Sequence, residues 1–408
     1  MIRSGYIFFT FIVALAILSA GCTQPSVEHQ SPAASSAVNI TVPVPPIPVR
    51  SSGGMNLAYE LELTPDNGLK FVPEDVEVID PATGKVLYIM EKELFASLYH
   101  PAADPLPSGT ELQNGTGKVP VPRISIWFVV DPNAVPDRLV HRVTLNMSGS
   151  GQPPFTQTGG EIAVRKDLSP VVVGSPMRGP GWLALETTAP DTHHFSAQIT
   201  MDGVTRVPQK YAQDWIFVDP LTGKAVEGDS ALARNYYGFG KEILSVANGT
   251  VVDMLDGLPD HEMIYSPQGV TIATAAGNYV IVDIGDGKYA CYAHMVNGSV
   301  RVAPGDRVTD GQVLGLMGNS GNSDLPHLHF QVVEGKASFL GAEGYPHVYR
   351  AFNVTGEVDQ ARGIEMFSDP EFTTEKLWSE FDIFVSSYPN PVYQQESLPE
   401  NWVILDLP

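Results

Sequence analysis

Gly318-Asn-Ser-Gly-Asn-Ser-Asp-Leu-Pro-His-Leu-His-Phe-Gln-Val332 is a glycine-rich turn running through Pro326 into an alternating segment. In a strand, residues two apart share a face. His327 and His329 therefore project together, while Leu328 and Phe330 turn to the opposite, buried side. Two imidazoles at that spacing suit a metal site in which one ligates and its neighbour stands beside it. The same spacing also describes the polar face of an edge strand. The turn and Pro326 mark where this strand begins, which favours a positioned pair.

Outward from this stretch the chain keeps a strand-like period. Trp182–Glu186, Asp214–Val218, Ile243–Ala247, Tyr279–Asp283 and Tyr289–Ala293 are short apolar or alternating runs between Gly-Asp and Gly-Asn turns. Helical periodicity is confined to Thr374–Phe384, and the final run Trp402–Pro408 reads as a strand returning to the sheet. Earlier, Leu57–Leu63, Val76–Ile79, Ile124–Val130 and Leu139–Asn146 alternate between turn clusters, the pattern of an immunoglobulin-like β-sandwich. That segment holds no cluster of metal-binding residue types and reads as a spacer or adhesion module, with His100 and His141 as structural or surface residues. Seven of the ten histidines follow Asp191, so the chemistry is expected in the second half.

The 408 residues carry 24 Lys+Arg against 46 Asp+Glu, a formal charge of −22. Binding to nucleic acid through phosphate neutralisation needs the opposite sign, so no nucleic-acid partner is expected. A hydrophobic fraction of 43% excludes a disordered chain. Tyr6–Ala20 has the length and flanks of a secretory leader rather than a membrane span. Leu18-Ser-Ala-Gly-Cys22 resembles a lipobox, which implies a lipid on Cys22, membrane anchoring and an exported, cell-surface location. The remaining cysteine, Cys291, then has no disulfide partner and reads as a small core residue. Residues 23–49, rich in Pro and Ser, suit an extended tether. Asn-x-Ser/Thr sequons at Asn39, Asn114, Asn146, Asn248, Asn297 and Asn353 fit an exported protein.

Tyr292-Ala-His-Met295, the Val-x-x-Gly-Asp-x-Val-x-x-Gly-Gln of 302–312, Gly318-Asn-Ser-Gly321 and Pro326-His-Leu-His-Phe330 occur in consistent order, after Ser245-Val-Ala-Asn-Gly-Thr-Val251. This series, over about 238–333, resembles the lysostaphin/LytM-type zinc metalloendopeptidases, which cut peptide crosslinks of peptidoglycan. The resemblance implies one zinc ion, with His329 as a ligand and His294 and His327 as the catalytic general base and transition-state stabiliser. The family's compact His-x-x-x-Asp is missing: Asn235-Tyr-Tyr-Gly-Phe-Gly240 stands in its place. A divergent branch with a split motif aligns instead with His193-His194-Phe195 and Gln209-Lys-Tyr-Ala-Gln-Asp214-Trp215, which implies His194 and Asp214 as the other ligands. A hairpin through Met201–Val204 would bring those two onto adjacent strands. A one-residue slip would exchange His194 for His193. His261 and His347 read as loop and surface histidines.

The expected organisation is thus mainly β: a leader (1–22), a tether (23–49), an immunoglobulin-like β-sandwich (50–168), a β-rich peptidase domain with an antiparallel sheet (169–356) and a C-terminal extension (357–408). The expected partners are a peptide or peptidoglycan-like cell-wall substrate and the membrane. The alternative is a non-catalytic, lipid-anchored wall-binding or regulatory protein that retains the fold, for which the displaced His/Asp pair speaks and the three retained histidines speak against.

Overall fold

The computed structural model describes residues 38–66, 70–90, 92–102, 121–147, 151, 153–190, 192–201, 203–265, 267–362 and 373–408. The leader, Cys22 and the first part of the expected tether lie outside these residues. The second part of the tether is not an extended linker. Val38–Thr41 pairs with Gly54–Pro65, and Val49–Ser51 pairs with the same strand, with Val38, Ile40 and Val49 buried. Alternate apolar residues there have a core to enter, which outweighs the turn propensity of the surrounding prolines.

Gly54–Pro65 lies between Val38–Thr41 and Arg123–Val130 in one antiparallel sheet. Phase-matched alternation in Phe71–Ile79 and Arg138–Met147 builds a second, four-stranded sheet. Leu57, Tyr59, Leu61 and Ile126 from the first sheet share one apolar core with Val76, Val78, Val143 and Leu145 from the second. That core also takes in Phe195, Tyr211, Val348 and Leu398 from the other half of the chain.

The larger sheet places the chemistry. Among the described residues it has twelve strands, running in the order Val171–Val173, His347–Val358, Val403–Leu407, Gly179–Leu185, Gln213–Phe217, Leu328–Glu334, Lys288–Met295, Asn278–Gly285, Gly249–Leu255 and Arg307–Val308, with Glu343–Gly344 pairing off this path with Leu328–Glu334 and Val385–Ser397 with His347–Val358. Pairing is antiparallel except for Val171–Val173 on His347–Val358. The C-terminal run therefore closes the middle of the sheet. One face contributes Trp215, Val280, Tyr292, Leu328 and Phe330 to the largest core. The other face carries Cys291, Ala293 and Val333 into a smaller one. Burial pushes the Cys291 thiol up and keeps it an inert apolar residue.

His141 and His347 are fully buried, which corrects the surface placement expected for His347. His347 Nε2 meets Gln213 Oε1 at 2.9 Å and its pKa is lowered by burial to about 3. His141 Nδ1–H donates to the Gly160 carbonyl at 3.0 Å, so its Nε2 accepts from the Tyr59 hydroxyl at 2.8 Å. Burial holds His141 neutral, with a pKa of about 4 against 6.5. Between those values the unfolded chain binds a proton that the folded chain does not, so stability falls as pH falls. Urea unfolding should show the wild type losing about 2 kcal/mol more than His141→Gln between pH 7 and pH 5. Equal losses would remove His141 as the cause.

Candidate metal centre

The site forms where one register row crosses four strands. Leu185 opposes Asp214, Asp214 opposes His329, and His329 opposes Ala293. Asp214 and His329 thus meet on one face although 115 residues separate them, with His329 Nδ1 at 3.0 Å from Asp214 Oδ1. His294 follows Ala293 at φ +62, a left-handed conformation rarely held by residues other than glycine, and this turns its ring toward His327 at 4.7 Å between centroids. His327 immediately precedes its strand and sets Nε2 at 3.5 Å from Asp214 Oδ1.

His194 arrives differently from expectation. It sits on the short helical turn His193–Ser196, capped by the Thr192 hydroxyl, and not on a strand beside Asp214. The hairpin Ile199–Met201/Val204–Arg206 does form, but the strands flanking Asp214 are Gly179–Leu185 and Leu328–Glu334. From the turn, His194 places Nε2 at 3.4 Å from Asp214 Oδ2. His193, His194 and Asp214 all offer donor atoms within 4.8 Å of one another. His193, however, is 66% exposed with Nδ1 at 2.9 Å from Glu186, whereas the His194 ring lies edge-on to His329 at 4.7 Å. The five residues singled out in the sequence therefore converge, with His194, His294, His327 and His329 all at or below 7% exposure.

The tautomers follow from the acceptors behind each ring. A carbonyl can only accept, so His194 Nδ1–H donates to Glu186 O at 3.1 Å, His294 Nδ1–H to Ser320 O at 2.8 Å, and His327 Nδ1–H to Leu325 O at 2.7 Å. Gln331 donates its amide hydrogens to Pro208 O and Phe339 O, which turns Oε1 toward His329 Nε2–H at 2.8 Å. Three of the four inner nitrogens, His194 Nε2, His327 Nε2 and His329 Nδ1, face the Asp214 carboxylate. Burial would raise the Asp214 carboxyl, but the facing His194 and His327 and the hydrogen bonds of His194 and His329 hold it well below its ordinary range. Burial, in turn, lowers His194 and His294 away from the imidazolium form.

An ionised carboxylate beside an imidazole that burial keeps from protonating, as at His194, is a place for a cation. Two imidazole nitrogens and one carboxylate oxygen are the donor set of a catalytic zinc site, and the outer acceptors are the hydrogen-bond partners that orient such ligands, so the residues present fit the ion.

Ser320, Leu325, Glu186 and Gln331 were not singled out in the sequence. Gln331 had a signal, since it lies two residues beyond His329 on the same face. The carbonyls had none. The glycine-rich turn acts through one of them: Gly321 has φ +76, and a β-carbon there would collide with the backbone of Ala275 and Gly277. This close approach holds Ser320, whose hydroxyl also accepts from Asn278 N and donates to Met295 O.

Residues 236–339 match Peptidase family M23. The match takes in His294, His327 and His329 and begins after His194 and Asp214. Over 90 residues the chain is 36% identical to the peptidoglycan DD-endopeptidase ShyA of Vibrio cholerae, covering 21% of this chain and 20% of that protein. It is 34% identical over 94 residues to endolysin 2638A of Staphylococcus phage 2638A, covering 22% and 16%. The chain thus spans about a fifth of the length of these curated relatives. Similar solved structures include the catalytic domain of lysostaphin from Staphylococcus simulans (21% identity, 36% of this chain and 80% of that chain, TM-score 0.22). Another is a putative peptidase M23 from Pseudomonas aeruginosa (17% identity, 73% and 95%, TM-score 0.25).

Gly321→Ala should cost about 1–3 kcal/mol and break the Ser320–His294 hydrogen bond. In NMR spectra a slowly exchanging His294 Nδ1–H present in the wild type should be lost. Its persistence in the variant would show that the turn does not hold His294.

Proposed function

We propose, from the premise of a peptidase family M23 domain at residues 236–339, that this chain is a zinc-dependent endopeptidase that hydrolyses peptide bonds in cell-wall crosslinks of the peptidoglycan type. The observation that carries the proposal is the convergence of three imidazole nitrogens on the Asp214 carboxylate. His194 Nε2, Asp214 and His329 Nδ1 would hold one zinc ion, which would supply Lewis acidity toward water and the scissile carbonyl.

The chain's own residues supply the proton chemistry. His294 is kept neutral by burial, with Nε2 unprotonated because Nδ1–H is bound to Ser320 O. It can take a proton from the attacking water at Nε2 and release it to the departing amine. His327 lies within reach of the same proton, and once protonated at Nε2 it stabilises the negative charge that develops on the carbonyl oxygen. The fixed outer hydrogen bonds mean that neither ring must reorient during the reaction.

Export accords with such a substrate. The leader Tyr6–Ala20 and the lipobox-like Leu18–Cys22 support an exported protein held at the membrane by a lipid on Cys22.

His194→Ala, Asp214→Ala and His329→Ala should each lose the zinc, as elemental analysis reads it, along with cleavage of purified muropeptides. His294→Ala and His327→Ala should keep about one zinc per chain and lose about 10²–10⁴ in turnover. Full muropeptide cleavage after exhaustive chelation would refute the proposal.

A further inference from the structure

The proposed ligands come from two sources. His329 belongs to the large sheet, in the strand Leu328–Glu334. His194 sits on a four-residue turn, and Asp214 is the second residue of a five-residue strand. So short a turn has little stability of its own.

What holds these two segments lies in the N-terminal sheets. Phe195, next to His194, is fully buried in the N-terminal core, where its ring meets Trp127 edge-to-face at 5.1 Å between centroids. Tyr211, three residues before Asp214, enters the same core and packs on Trp127 at 5.7 Å. Trp127 is itself fixed by donating Nε1–H to Asn56 Oδ1 at 2.9 Å. Beyond the turn, Gln198 Nε2 donates to Ser125 Oγ at 3.2 Å. Lys210 completes the arrangement: its Nζ donates to Glu60 Oε2 of the N-terminal sheet at 2.9 Å and to Glu343 Oε1 at 2.8 Å, and Glu343–Gly344 pairs with the strand that carries His329. Lys210 and Glu60 are 3% and 1% exposed. A buried cation needs carboxylates in fixed positions, so this contact sets the spacing between the N-terminal sheet, the Asp214 segment and the His329 strand.

We infer that the N-terminal sheets are a built-in part of the metal site, with Trp127 as the positioning residue that fixes both His194, through Phe195, and Asp214, through Tyr211. The inference rests on the zinc-site assignment above and extends it to a segment whose sequence reads as a spacer. Loss of groups that orient ligands weakens metal sites by about 10–100-fold.

The test is zinc affinity of the full chain, measured by competition with a chromophoric chelator, for Trp127→Ala, Phe195→Leu, Trp127→Phe and His329→Ala, with folding followed by circular dichroism. Trp127→Ala should bind zinc at least about ten-fold more weakly and Phe195→Leu about three- to ten-fold more weakly, with Trp127→Phe returning to within about three-fold of wild type. A merely stabilising role would lower the melting temperature and leave the affinity of the folded protein unchanged. Wild-type affinity in folded Trp127→Ala or Phe195→Leu overturns the inference. Where Trp127→Ala does not fold, Phe195→Leu decides. Wild-type affinity in His329→Ala would instead overturn the zinc-site assignment, and the inference with it.

Discussion

A carboxylate removed from water must be met by positive charge or by donated hydrogens, and the geometry around Asp214 is organised by that requirement. Three imidazoles face it with N–O separations of 3.0 to 3.5 Å, and each has its outer N–H already committed to another acceptor. Protonating the imidazoles is opposed at His194 by burial. Such a set of donors suits a divalent cation, and the rest of the site is the scaffold that holds the donors together.

That scaffold is built from strained or closely packed backbone. His294 and Glu186 both adopt left-handed φ values, +62 and +54, at positions without glycine. The first swings an imidazole toward His327. The second lies at the end of the strand Gly179–Leu185, where the Glu186 carbonyl receives the His194 N–H. Such conformations persist only where the surroundings over-determine them, and here two of them lie around one carboxylate. The register row from Leu185 to Ala293 provides the flat reference against which these departures are held.

The N-terminal sheets enter the same account. Lone β-modules beside a catalytic domain can pivot on a linker, but here Phe195, Tyr211, Val348 and Leu398 lie in the N-terminal core. The Lys210 ammonium joins carboxylates from both halves. The turn that carries His194 is therefore packed against both halves of the chain.

Much was legible in the residues themselves. Alternation put His327 and His329 on one side of a strand and Leu328 and Phe330 in the core, because side-chain direction along a strand depends only on parity. The mainly antiparallel β build and the return of the C-terminal strand to the sheet followed from the same period and from turn residues. Periodicity cannot, however, say which strand lies beside which. Only the tertiary structure decided that Asp214 opposes His329, that His194 comes from a helical turn rather than a strand, that His347 is buried, and that Val38–Thr41 and Val49–Ser51 join the N-terminal sheet. The carbonyls of Glu186, Ser320 and Leu325, which set the tautomers, leave no mark in a sequence, since every residue carries the same backbone group and only the fold determines which of them reaches an imidazole.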